Sequence, residues 1–326
     1  MKITNRKITH FLFSMLVAFT AACGNAQTPA AATQALIQST ATLLPTPTAA
    51  STATALLPTQ TLLPTQTLLP TLTLQPTLGI GATRTSPKDG MVLDFVPAGS
   101  FLMGSDKSVD KQALSDELPQ HTVTLDAFWI DQTPITNAMY ALCVAAAGCT
   151  APKLTRSASR ASYYGSTQYL DYPIVNVDWS QADSYCRWAG RMLPTEAQWE
   201  KAARGPDGRL YPWGNQPPDN TLANFNSMVG DTTRVGSYPA GASPYGALDM
   251  AGNVYEFTGD WFSYTYYENS PANNPTGPVS PDSYNHRPIR GGSYGSLGQI
   301  IRSAGRDGRA NGAGGNNFGF RCAAVP

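Results

Sequence analysis

The stretch AGRMLPTEAQWEKAARG, residues 189–205, carries a complete helix start inside a chain with few long periodic runs. Thr195 and Gln198 stand at the spacing of a capping box, in which each side chain satisfies a backbone N–H of the other residue. Behind them Trp199, Ala202 and Ala203 fall on one face, so a short helix buried by its tryptophan side is expected. Immediately upstream, WSQADSYCRWAG (179–190) repeats the pattern, with Ala182, Tyr185, Cys186 and Ala189 on one face and Gly190 as the stop. A third helix is expected in TNAMYALCVAAAG, from Thr136 as N-cap to Gly148. MVLDFV (91–96) and HTVTLDAFWI (121–130) read as strands, the second shifting face after Leu125. Beyond Gly205, roughly a hundred residues rich in Gly, Pro, Asn and aromatics show little periodicity, and a compact domain with that much irregular chain needs disulfides, bound ions or both.

The N-terminal third reads differently. Lys2, Arg6 and Lys7 precede the apolar run FLFSMLVAFTAA (11–22), a three-part secretory signal too short for a membrane span. TAAC places small residues before Cys23, so cleavage there and lipidation of Cys23 are expected, leaving residues 1–22 as the signal. From Gly24 to Thr83 there is no charged residue, and the hexad LLPTQT recurs at Leu56 and Leu62, with LLPTLT at Leu68. A proline every six residues beside threonine favours an extended, polyproline-like chain. Residues 23–86 are therefore expected to be a lipid-anchored stalk, and residues 87–326 one globular domain.

Charge excludes whole classes of partner. Lys plus Arg and Asp plus Glu are 22 each, so nothing draws the chain to nucleic acid, and a membrane enters only through the anchor. After Cys23 four cysteines remain, Cys143, Cys149, Cys186 and Cys322, in an export context where disulfides persist; three pairings are open. Only His121 and His286 follow the signal, which is too few for a three-histidine metal site.

Eight blocks then occur in order: VPAGSFLMGS (96–105), DELPQHTV (116–123), YPIVNVDWSQADSYCRWAG (172–190), the opening stretch, YPWGN (211–215), LDMAGNVYEFTGDW (248–261), RGGSY (290–294) and GFRC (319–322). Together they resemble the formylglycine-generating enzyme, or sulfatase-modifying factor, family over essentially the whole domain. The resemblance implies an α+β fold of C-type-lectin-like character, a single irregular domain with little regular secondary structure. It also implies the pairing Cys186–Cys322; Cys143 and Cys149 are then expected to pair with each other, across the Gly148 stop that can turn the chain back on itself.

Enzymes of that family oxidise a sulfatase cysteine to formylglycine with copper held by two thiolates after the GGS turn. Here Ser296 stands at the first of those positions and a residue near Ile301 at the second, so copper and its oxidase chemistry are not expected. What remains of the implied groove is Ser293 with Arg302 and Arg306, either facing a bound peptide or, for the arginines, capping carbonyls and pairing with buried acids. The family's calcium sites fall on Asp249, Gly252, Val254 and Glu256, and on Asn224, Phe225, Asp231 and Thr233, oxygen sets suited to a hard cation. Tyr255 and Phe257 depart from the family's tryptophans and reshape the groove. The expectation is a monomeric, extracytoplasmic module binding an extended peptide or similar ligand, with an active oxidase and a structural or sensor component of the envelope as rivals.

Overall fold

A computed structural model describes residues 78–326; the signal, Cys23 and the hexad repeats lie outside the described residues. The first sheet holds β1 (Thr83–Thr85), β2 (Val92–Val96), β5 (Phe128–Asp131) and β10 (Ala323–Ala324), in that order and all antiparallel. β1 starts before the boundary drawn at residue 87, because the charge-free run ends at Arg84, whose guanidinium stacks 4.8 Å from the Trp129 ring. The sheet thus claims residues that composition assigned to the stalk.

HTVTLDAFWI is not one strand. β4 (His121–Leu125) pairs with β3 (Gly99–Met103) in a separate two-stranded sheet, while β5 joins the first. The face shift at Asp126 and Ala127 is the point where the chain leaves one sheet for the other. β4 alternates, burying Val123 and Leu125, whereas all four residues of β5 are buried because both faces are covered. The third sheet orders β8 (Arg306–Ala310), β7 (His286–Arg290), β6 (Tyr255–Phe257) and β9 (Phe318–Gly319), with β6 and β9 parallel.

Three helices start where their caps predict, but the first ends three residues before the expected Gly148 stop, with Ala147 at φ +56° in the place of a glycine. α1 (Asn137–Ala145) is capped by Thr136, α2 (Trp179–Trp188) by a full Asp178–Gln181 box, and α3 (Glu196–Arg204) by the Thr195–Gln198 box. α1 and α2 bury Tyr140, Tyr185 and Cys186 with Ile174 and Phe320 in one core. α3 packs Trp199, Ala202 and Ala203 against Phe101, Val123 and Phe128 in a second. Two disulfides close the frame, Cys143–Cys149 at the end of α1 and Cys186–Cys322 from α2 to the approach of β10. Among the described residues no helix is long and apolar enough to cross a membrane.

Candidate functional site

The turn after β7 is set by two glycines. Gly291 and Gly292 have φ of +81° and +69°; a Cβ on Gly292 would stand 2.7 Å from Ile301, and one on Gly291 would stand 3.1 Å from Trp199. α3 supplies the base under this turn, because Glu196, Glu200 and Arg204 recur every four residues on one helical face. Glu200 takes Arg290 at 2.5 Å and Arg204 at 2.8 Å, and Glu196 holds Arg306 through both oxygens at 2.7 and 2.8 Å. Arg290 also donates to the carbonyls of Ser303, Ala304 and Gly305. Both ends of the 290–306 segment are therefore pinned to one helix.

These contacts decide between the two readings of the arginines in favour of carbonyl capping and pairing with buried acids. Arg302 is 1% exposed, bonded to Asp110 and to both oxygens of Glu117, with the carbonyls of Gln112 and Gln299 completing its shell. Arg306 is also buried, stacked between Phe262 and Tyr267. All five N–H groups of Arg302 and four of the five of Arg306 are bonded within the chain, so their main work is to fix the loop. Ile301 is buried against Tyr211 and Phe225 rather than presented to solvent.

Ser293 and Ser296 are buried as well. The Ser293 amide donates to Ser296 Oγ at 3.0 Å, and Ser296 Oγ donates to the Tyr255 hydroxyl at 3.1 Å. Asn317 reaches Ser293 Oγ at 3.4 Å. This donor set consists of hydroxyls, and the four cysteines of the described residues are all in disulfides. Such a set does not fit Cu(I), which takes thiolates.

In front of Tyr255 lies a cleft of about 350 Å³. Tyr255 of β6, Ile289 of β7 and Asp307 of β8 form its floor on one sheet face, with Leu114 and Ile300 as walls and Tyr264 at the rim. Of Ser293, Arg302 and Arg306, only Arg306 borders it. Leu114, Tyr264 and Ile300 were missed because single apolar residues in aperiodic loops carry no pattern. Tyr255 was noted as a departure, but its bond to Ser296 joins two distant segments.

The two calcium sets differ in their fit. In the first, Glu256 is fully engaged, bound by Arg321 at 2.6 and 2.8 Å and by the Trp199 indole at 2.7 Å. Asp249 accepts one bond from the Gly236 amide, and burial pushes its carboxyl up to about 6. A buried carboxylate short of counter-charge is what a cation there would answer, so this set fits through Asp249. In the second, Asn224 Oδ1 is buried without a partner, but Asp231 is saturated by Ser157, Ser159, Thr232 and Arg160. That set does not fit. Among the described residues no three His, Cys, Asp or Glu side chains converge as metal ligands.

Three further buried carboxyls sit above their ordinary range. Burial raises Asp94 to about 6, Asp131 to about 7 and Asp260 to about 8, the last also repelled by Glu196. Arg191 Nε stands 3.4 Å from Asp131 Oδ1, in ion-pair reach but not aligned as a hydrogen bond. A raised folded value means the folded state holds protons that the unfolded chain has released. The stability this gives is complete below about pH 4 and lost as pH rises through 6 to 8. In chelator, urea midpoints should therefore fall between pH 5 and 8. Asp131→Asn should flatten part of that slope; a midpoint that rises over the interval contradicts the assignment.

Comparison with known proteins agrees with this architecture. Residues 80–325 match the sulfatase-modifying factor enzyme 1-like domain. The serine/threonine-protein kinase Pkn1 of Chlamydia trachomatis is 39% identical over 70% of this chain, which spans only 37% of that protein's length. The formylglycine-generating enzyme of Streptomyces coelicolor is 34% identical over 70% of this chain and 87% of its own. The solved structure of PvdO from Pseudomonas aeruginosa superposes with a TM-score of 0.65 at 25% identity, covering 77% of this chain and all of that one. The fold is α+β and C-type-lectin-like, and the chain belongs to the family of sulfatase-modifying factor enzyme 1-like domains.

Proposed function

We propose that this domain is an extracytoplasmic binding module whose cleft takes an extended peptide and which does not perform copper oxidation. The observation that carries the reading is the Ser293–Ser296–Tyr255 hydroxyl chain behind an apolar cleft, where the resemblance would place two thiolates. Hydroxyls orient a ligand but do not hold Cu(I), and the cleft's Leu114, Ile289 and Ile300 favour an apolar side chain. Lipidation at Cys23 and the charge-free stalk would carry the domain, as a monomer, on the outer side of a membrane. Calcium would steady the 248–260 loop through Asp249, with the carbonyls of Gly252 and Val254; its chemistry there is charge compensation.

One experiment addresses both halves. Selection from a random peptide pool on the full chain should enrich sequences that Ile300→Asp no longer retains. The same chain, given Cu(I), oxygen and a sulfatase-motif cysteine peptide, should consume no oxygen above the peptide-free rate. A peptide mass loss matching formylglycine would establish an oxidase instead. A pool with no enrichment would leave the structural or sensor role.

A further inference from the structure

The guanidinium of Arg160 sits inside a cage of three tyrosines, 5.7, 4.8 and 5.0 Å from the ring centres of Tyr163, Tyr169 and Tyr172. From there it donates to Thr232 Oγ1 at 3.1 Å and to the Thr232 carbonyl at 2.9 Å, and lies 3.4 Å from Asp231 Oδ1. The other Asp231 oxygen accepts from the Ser157 hydroxyl at 2.6 Å and from the Ser159 amide and hydroxyl at 2.9 and 2.8 Å. The Thr232 amide adds a bond to Asp231 Oδ1 at 2.7 Å, so both oxygens of this buried carboxylate are occupied.

We infer that Arg160 supplies from within the chain the positive charge that the resemblance assigns to a calcium ion at Asn224, Phe225, Asp231 and Thr233. This set then takes no calcium. A hard divalent ion is drawn by uncompensated carboxylate charge, and the only acid of the set already has a guanidinium in ion-pair reach and its oxygens bonded by Ser157, Ser159 and Thr232. Asn224 Oδ1 is left open, but one neutral amide oxygen does not attract a divalent ion by itself.

The same loop also reaches the serine turn. It carries Asn226 and Ser227, consecutive non-glycine residues at φ +53° and +54°. Such a pair persists only where its surroundings hold it. Their amides donate to the carbonyls of Ser296 and Tyr294 at 2.8 and 2.7 Å, so the loop forms one wall of the serine turn. Arg160 is thus a positioning residue for the Ser293–Ser296 turn, which it does not touch. This holds whatever the cleft binds.

Terbium, a calcium substitute excited through nearby tyrosine, is the probe, and the full chain carrying Asp249→Asn is the background that silences the first set. Expected is no tyrosine-sensitised emission from this chain, and its appearance at one ion per chain when Arg160→Met is added. Arg160→Met should also lower the melting point by ~3 °C or more. In addition it should speed exchange of the Asn226 and Ser227 amides at least ~10-fold, with Arg160→Lys restoring part of both. Sensitised emission that is present with Arg160 intact and lost on Asp231→Asn overturns the inference. So does an Arg160→Met chain with unchanged exchange at those two amides. If Arg160→Met does not fold, the emission of the chain with Arg160 intact decides alone.

Discussion

Arg302→Met is expected to destabilise the domain by about 3–5 kcal/mol, because it leaves Asp110 and Glu117 buried and unpaired. In a domain of this size each kcal/mol moves the midpoint by about 2–4 °C, so thermal melts should fall by roughly 10 °C. Adding Asp110→Asn and Glu117→Gln to the same chain should recover most of the loss, since no uncompensated charge then remains. A groove arginine would behave in the opposite way, with ligand affinity lost and the melt unchanged. An Arg302→Met chain that melts like the parent would restore the groove assignment.

Removal of the Cys186–Cys322 bridge should cost about as much by a different route. It closes a separation of 136 residues, worth about 5 kcal/mol in unfolded-state entropy, whereas Cys143–Cys149 closes only 6, worth about 2 kcal/mol. The long bridge also sits beside Ala323, which pairs with Ile130 of β5 and with Met192. Replacing each pair by alanine and melting both chains by calorimetry should give the larger drop for Cys186 and Cys322. Equal drops would mean that strain or local packing, rather than loop length, governs the two bridges.

How much of this was legible in the sequence depended on the range of the interaction involved. Thr136 and the Thr195–Gln198 box marked helix starts because capping is a contact within four residues. The inward face of α2 followed from spacing alone, whereas α3 is buried on its charged side as well, at Glu196, Glu200, Lys201 and Arg204. Sheet membership did not: HTVTLDAFWI shows its face shift but not that its halves serve two sheets, since register is fixed by strands far away in sequence. β6, β9 and β10 are two or three residues long, below the length at which alternation can be read. For the arginines the sequence left two readings open. Arg290, Arg302, Arg306 and Arg321 are all buried, and a residue type that is mostly exposed gives no sign of burial until its acids are located. Glu200 and Glu256 lie ninety and sixty-five positions from their partners. In the same way Tyr163, Tyr169 and Tyr172 read as loop aromatics until Arg160 is seen among them.

The strand order β1-β2-β5-β10 has a mechanical consequence. The described chain enters by one edge of that sheet and finishes at the other, while the cleft stands on the separate sheet of β6 to β9. A load applied at the N-terminal end meets β1 first, three exposed residues paired only to β2. That strand can be peeled one residue pair at a time, as a zipper opens, rather than sheared all at once. At the far edge β10 follows directly on Cys322, whose covalent tie to α2 does not yield to such forces. Tension applied there is absorbed at a sacrificial edge, and the cleft on the other sheet stays out of the line of force.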